Sequence, residues 1–176
     1  MMSDETSKIS IVDLKEVGRI INSTKSLAKE YRILTGKPLG IVGEVAEYEA
    51  ARLLKLQLTD ARQPGFNALR LRDGNMEKIQ IKGRCILPKS KLGRVPSIKF
   101  KHEWDFVLLV LVDENFGPME ILEASRKEII EALVAPGSIA RNERGSLAIS
   151  QFKRIAKNKI WDREIHEIKY IETKLN

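Results

Sequence analysis

PGFNALRLRDGNMEKIQIKGR, Pro64 to Arg84, is the stretch on which the reading of this chain turns. Asp73-Gly74-Asn75 is a hairpin signal, because Asp and Gly accept the positive φ that a tight β-turn requires. Phe66–Arg72 and Met76–Lys82 flank it as the two strands. A two-residue loop sets Arg72 opposite Asn75 and Asn67 opposite Gln80, whereas a three-residue loop sets Asn67 opposite Ile81. Either register brings Asn67 beside Gln80-Ile81-Lys82, at the end of the hairpin away from its turn. Side chains alternate along a strand, so Gln80 and Lys82 share one face and Ile79 and Ile81 the other.

Upstream, Leu58–Gln63 reads as a short strand. Before it a helix begins between Pro38 and Gly43 and runs to about Leu56, with Val42, Val45, Ala46, Ala50 and Leu53 as its core stripe. Glu44 and Glu47 lie three residues apart on a neighbouring face and can point at one place; two acids near a helix N-terminus also favour the dipole on their own account. Thr35-Gly36-Lys37-Pro38 is a stop signal. From Ile9 to Leu34 apolar residues recur at helical spacing (Ile11, Leu14, Val17, Ile20, Ile21, Leu27, Tyr31, Leu34). One long helix fits, as do two broken at Asn22-Ser23-Thr24. Its Glu- and Lys-rich face reads as solvated, and a homodimer through this stretch is left open.

Downstream, Cys85 to Lys101 is rich in Pro, Gly, Ser and Lys and reads as a long mobile basic loop, a kind of segment that is usually functional or disordered. Lys78, Lys82, Arg84, Lys89, Lys91, Arg94, Lys99 and Lys101 fall in one window without an acid. The whole chain carries a net charge of +7, so the remainder is close to neutral and the excess forms a patch. Asp105–Val112 is apolar enough for a central strand buried on both faces. A turn at 113–118 leads to a strand at Met119–Ala124, and Ser125 with Glu128 forms a capping box for a helix to about Val134, ended by Ala135-Pro136-Gly137. Ser150–Ile160 reads as a helix and Ile165–Ile171 as a last strand or helix, in a tail carrying Arg141, Arg144, Lys153, Arg154, Lys157 and Lys159.

This order predicts a mixed α/β protein, a sheet between helices. With 176 residues, 43% hydrophobic and 31% charged, one domain is expected: a helical extension at 8–36, a core at 37–135 and a basic extension at 136–176. Cys85 is the only cysteine, which excludes an intrachain disulfide framework and fits a reducing cytoplasm. No segment reaches the roughly 20 apolar residues of a membrane span, and the first residues, Met1-Met2-Ser3-Asp4-Glu5, carry acids where a secretory signal carries bases. His102, His166, Trp104 and Trp161 read as surface or packing residues. Zinc-ligand spacing, a P-loop and a serine-nucleophile signature are absent from the sequence.

Three pieces together resemble the PD-(D/E)XK nucleases: Gly43-Glu44-Val45-Ala46-Glu47, Gly65-Phe66-Asn67-Ala68 and Gln80-Ile81-Lys82. The likeness is to restriction-endonuclease-like proteins of the Mrr or Holliday-junction-resolvase type, and it covers roughly Leu39 to Val112. It implies an αβββαβ core, a mixed sheet flanked by helices; it accounts for neither end, and the N-terminal helix or helices are extra to it. It further implies DNA, duplex or branched, as partner and phosphodiester hydrolysis assisted by Mg²⁺ or Mn²⁺, a cation that activates water and neutralises charge at phosphorus. By the same resemblance Glu44, Glu47, Asn67 and Gln80 would be the metal ligands and Lys82 would orient water and stabilise developing charge. Glu44, Asn67, Gln80 and Lys82 would form the catalytic set. Lys78, Arg84, Lys89, Lys91, Arg94, Lys99 and Lys101 would meet phosphates.

Position 67 departs from the family, which expects Asp. An amide oxygen can coordinate a cation but brings no negative charge, and Gln80 brings none either. Asp73 belongs to the turn and is out of reach; Asp60, on the preceding strand, could substitute, though nothing in the sequence requires it. Three readings follow: a nuclease weakened by Asn67, a nuclease fold that binds DNA without cutting it, or a basic interaction protein with an RNA or protein partner.

Overall fold

A computed structural model describes residues 12–60, 64–136, 143–156 and 158–166. The chain begins with α1 (Leu14–Thr35), α2 (Val42–Leu54), β1 (Gln57–Leu58) and β2 (Ala68–Arg72). It continues through β3 (Asn75–Cys85), β4 (Phe106–Val112), β5 (Pro118–Ser125), α3 (Arg126–Val134), α4 (Ile149–Ile155) and β6 (Asn158–Asp162). Six strands form one sheet in sequence order. The β3–β4 pair is parallel and every other pair antiparallel, so the sheet is mixed, with helices on both sides, as the sequence predicts.

β4 shows why. Leu108, Val110 and Val112 face α1 and α2, while Val107, Leu109 and Leu111 face Ile129, Leu133 and Phe152 of α3 and α4. All six are buried, the signature of a strand covered on both faces. Ser125 and Glu128 close the expected capping box on α3. α1 is a single helix: Ser23 and Thr24 donate their hydroxyls to the Arg19 and Ile20 carbonyls and stay helical, so of the two arrangements left open the unbroken one is found. Asp13 caps its first turn, and Gly36 ends it in the left-handed region.

Gly83 is where α2 meets β3 most closely. A Cβ there would lie 2.6 Å from both the Ala46 Cβ and the Val42 carbonyl oxygen. Gly83→Val is therefore expected to lift α2 off the sheet and cost about 1–3 kcal/mol, read as a lowered Tm with little change in far-UV circular dichroism.

Two assignments differ near the ends. β1 is only two residues long, and 61–63 lie outside the described residues. The C-terminal helix stops at Ile155 and Asn158–Asp162 is a strand paired with β5, where a helix to Ile160 was expected. Most of the last predicted element, from 167 on, lies outside the described residues, as do Arg141 and Lys157.

Candidate functional site

The hairpin takes the two-residue loop. Asp73 and Gly74 have φ of 51° and 77°, Arg72 pairs with Asn75 and Ala68 with Ile79. β2 begins at Ala68, yet β3 runs on to Cys85, so past Ile79 one edge of β3 no longer has a strand beside it. Asn67 extends the ladder by another means. Its backbone N–H donates to the Ile79 carbonyl at 3.0 Å, and its side-chain Oδ1 accepts the Ile81 N–H at 2.7 Å. That contact fixes the amide's orientation, because a backbone N–H needs an acceptor. Nδ2 then points to α2 and donates to Glu47 Oε1 at 2.6 Å.

A cavity of about 280 Å³ opens at this edge. Glu47, Asn67, Gln80 and Lys82 all line it, with Thr59, Asp60, Gly65, Phe66 and Lys99. Glu44 does not; it is exposed and reaches the site only through its charge. Burial pushes the Glu47 carboxyl above its ordinary range; the Asn67 hydrogen bond opposes the rise, Glu44 adds to it and Lys82 opposes it. Burial likewise holds the Lys82 ammonium below its ordinary value, and Lys99 lowers it further while Glu47 pulls it back up. Two titrating groups with displaced pKa values in one cleft are a common property of functional sites.

Gln80 is 3% exposed, and both ends of its amide are engaged. Nε2 donates to the Gly65 carbonyl at 2.7 Å, and Oε1 accepts the Lys99 N–H at 3.0 Å. It clamps the two walls of the cavity together, and its side-chain oxygen is spent on Lys99. Gly65 suits its place because its φ is +91° and a Cβ would press on His102 and the Glu103 backbone. Thr59 Oγ1 lines the cavity, buried and without a hydrogen-bond partner. The sequence carries no sign of this orphan, because it depends on how β1 packs.

No protein-family model matches the chain, and no curated protein matches it either.

The side-chain amides here are poorly placed to serve a resident Mg²⁺ or Mn²⁺, although the carboxylates of Glu47 and Asp60 both line the cavity. Such ions take oxygen ligands, usually with one or two carboxylates among them. Asn67 offers Glu47 an N–H, Gln80 has both ends engaged, and an ammonium shares the cavity. Among the described residues no group of three or more His, Cys, Asp or Glu is placed to hold a metal ion. The amide of Asn67 faces the carboxylate as a positive charge would.

The basic segment is irregular but tethered. Val95 N–H donates to the Leu147 carbonyl and Ile98 N–H to the Gly145 carbonyl, each at 2.9 Å, and Val95, Ile98 and Trp104 are buried. The expectation of a mobile loop is corrected accordingly: its alternating apolar residues belong to the second core layer. The predicted phosphate contacts divide into two groups. Arg84, Lys89, Lys91, Lys99 and Lys101 are exposed. Arg94 is held by Ser146 through its side chain and carbonyl, and Lys78 is paired with Glu103 at 2.5 Å and lies over Phe66. Among the described residues, no helix is long and apolar enough to cross a membrane.

Proposed function

We propose that this protein binds DNA, duplex or branched, along the basic edge of β3, on a site built like that of a metal-dependent nuclease in which Asn67 has silenced hydrolysis. The observation that carries this reading is the Ile81–Asn67–Glu47 chain of hydrogen bonds, which fills with an N–H donor the position where a cation would sit against the carboxylate. Lys82 and Lys99 then meet phosphate directly, and Arg84, Lys89, Lys91 and Lys101 extend the positive surface along the backbone. Phosphate contacts of this type fix position on the duplex and carry no base sequence.

The test is fluorescence anisotropy with labelled duplex and four-way-junction DNA, in EDTA and in Mg²⁺. Affinity no higher in Mg²⁺ than in EDTA is expected, with log K falling against log salt at a slope of roughly −4.5 to −5.5 for five or six neutralised phosphates. Neutralising Lys89, Lys91 and Lys99 together should abolish most of the binding, whereas neutralising the tethered Arg94 should act mainly on stability. Because the Lys82 pKa is held below that of an ordinary lysine, its share is lost first as pH rises, and the affinity ratio of wild type to Lys82→Ala should shrink toward one. Salt-insensitive binding, or plasmid nicking by the wild-type protein in Mg²⁺, would overturn the reading.

A further inference from the structure

α1 carries more apolar surface than its own core uses. Ile21 and Ala28 are buried against the rest of the chain, yet Ile20, Leu27, Tyr31 and Leu34 are exposed by 53%, 59%, 40% and 84%. These four follow one another at spacings of seven, four and three residues. With Val17 and Thr24 they fill successive a and d positions of a heptad: Val17, Thr24 and Tyr31 alternate with Ile20, Leu27 and Leu34. Thr24 does not interrupt the seam with a free hydroxyl, because that group is bonded to the Ile20 carbonyl at 2.8 Å. Val17 packs in part against the chain's own core, so the exposed strip runs from Ile20 to Leu34 of this 22-residue helix, about 21 Å at 1.5 Å per residue. An exposed apolar strip of that extent marks an interaction surface.

We infer that a second copy of this chain covers it, through a two-fold antiparallel pairing of α1 helices. A heptad seam is complementary to itself, and one antiparallel register fills every position. Val17 meets the partner's Leu34, Ile20 meets the partner's Tyr31 and Thr24 meets the partner's Leu27. On one side of the seam Ile21 and Ala28 are already buried, so charge pairing falls to the other side, which carries Glu16, Ser23, Glu30 and, just past the helix end, Lys37. The same register brings Glu16 to the partner's Lys37 and Ser23 to the partner's Glu30, twice by symmetry. Glu16 keeps its exposed in-helix partner Arg19 at 3.1 Å, and Lys37 is exposed. In a parallel pair Glu16, Ser23 and Glu30 would lie against the partner's Ile21, Ala28 and Thr35, none of which carries a cation. Charge thus selects the antiparallel arrangement. This inference does not depend on DNA binding.

The test is sedimentation equilibrium of the full chain, with and without substitutions on the seam. Wild type is expected as a dimer that dissociates on dilution. Leu27→Glu, at the centre of the seam and outside the monomer's core, should raise the dimer dissociation constant by at least about 100-fold while leaving the near-UV circular dichroism in place. Glu16→Lys and Lys37→Glu should each weaken the dimer, and the two together should restore it, a result that general loss of folding cannot imitate. A wild-type chain that stays monomeric at all concentrations, a dimer indifferent to Leu27→Glu, or charge reversals that fail to compensate would each overturn the inference.

Discussion

Asn67→Asp is expected to make the protein bind Mn²⁺ and Mg²⁺ and to unfold more easily in their absence. In the variant one carboxylate oxygen keeps the Ile81 N–H, which the wild-type Oδ1 accepts at 2.7 Å. The other oxygen takes the place of Nδ2 and faces Glu47 across the gap now spanned by a 2.6 Å hydrogen bond. Two like charges about 4 Å apart repel by about 4 kcal/mol at an effective dielectric near 20. The pair must therefore hold a proton or a cation. Burial already places the Glu47 pKa above its unfolded value, and the new carboxylate raises it further. With the folded pKa raised, the native state binds more protons than the unfolded one. Metal-free stability therefore falls as pH climbs from the unfolded pKa through the folded one, and levels off above it. A divalent ion replaces the proton. At a free concentration about 100 times its Kd it should restore about 2.7 kcal/mol, seen as a rise in Tm in Mn²⁺ that grows with pH and is absent from Asn67→Ala. If Mn²⁺ moves the wild-type Tm as much as the variant's, Asn67 does not control the site.

Gln80→Leu should be among the most damaging single changes in the molecule, despite lying at a position that family analogy treats as chemical. The substitution leaves the Gly65 carbonyl and the Lys99 N–H without the partners that now lie at 2.7 and 3.0 Å. Each buried group left unmatched costs about 1–3 kcal/mol, so a loss of about 3–4 kcal/mol is expected, roughly 6–16 °C in Tm for a chain of this size. Gln80→Glu separates the structural role from a catalytic one. An ionised glutamate can still accept from Lys99 but sets an oxygen against the Gly65 carbonyl, so it should be tolerated when protonated and destabilising as pH rises through its raised folded pKa. A Gln80→Glu protein at least as stable as wild type near neutral pH would show that the clamp carries little energy.

Much of the sheet was legible because its signals are local. Asp73-Gly74 fixed the hairpin, the unbroken apolar run of β4 announced a strand buried on both faces, and Ser125 with Glu128 marked the start of α3. The convergence of Asn67, Gln80 and Lys82 followed from register alone, whereas helical spacing only paired Glu47 with Glu44, and of the two Glu47 alone lines the cavity. What escaped depends on distant partners. Gln80 looks like a cleft residue until Gly65 and Lys99 close over it. Arg94 looks like a phosphate contact until Ser146 is seen to hold it, and the strand at Asn158–Asp162 exists because β5 offers an edge. Glu49, which no local pattern singles out, is 3% exposed and ionically bonded to both Lys25 and Arg52, pinning α1 onto α2.

The crossover that joins the parallel pair β3 and β4 is fastened by residues 145–149, far along the chain. During synthesis, α2, the hairpin and Lys82 can take shape while the wall carrying Lys99 is held only by Gln80, Trp104 and Arg126. A nascent chain halted after α3 would thus carry a groove whose cationic wall lacks its bonds from Val95, Ile98 and Gly93 to residues 145–149. Affinity for polyanions should arrive late in translation, after β1 to β5 and before the edge strand β6.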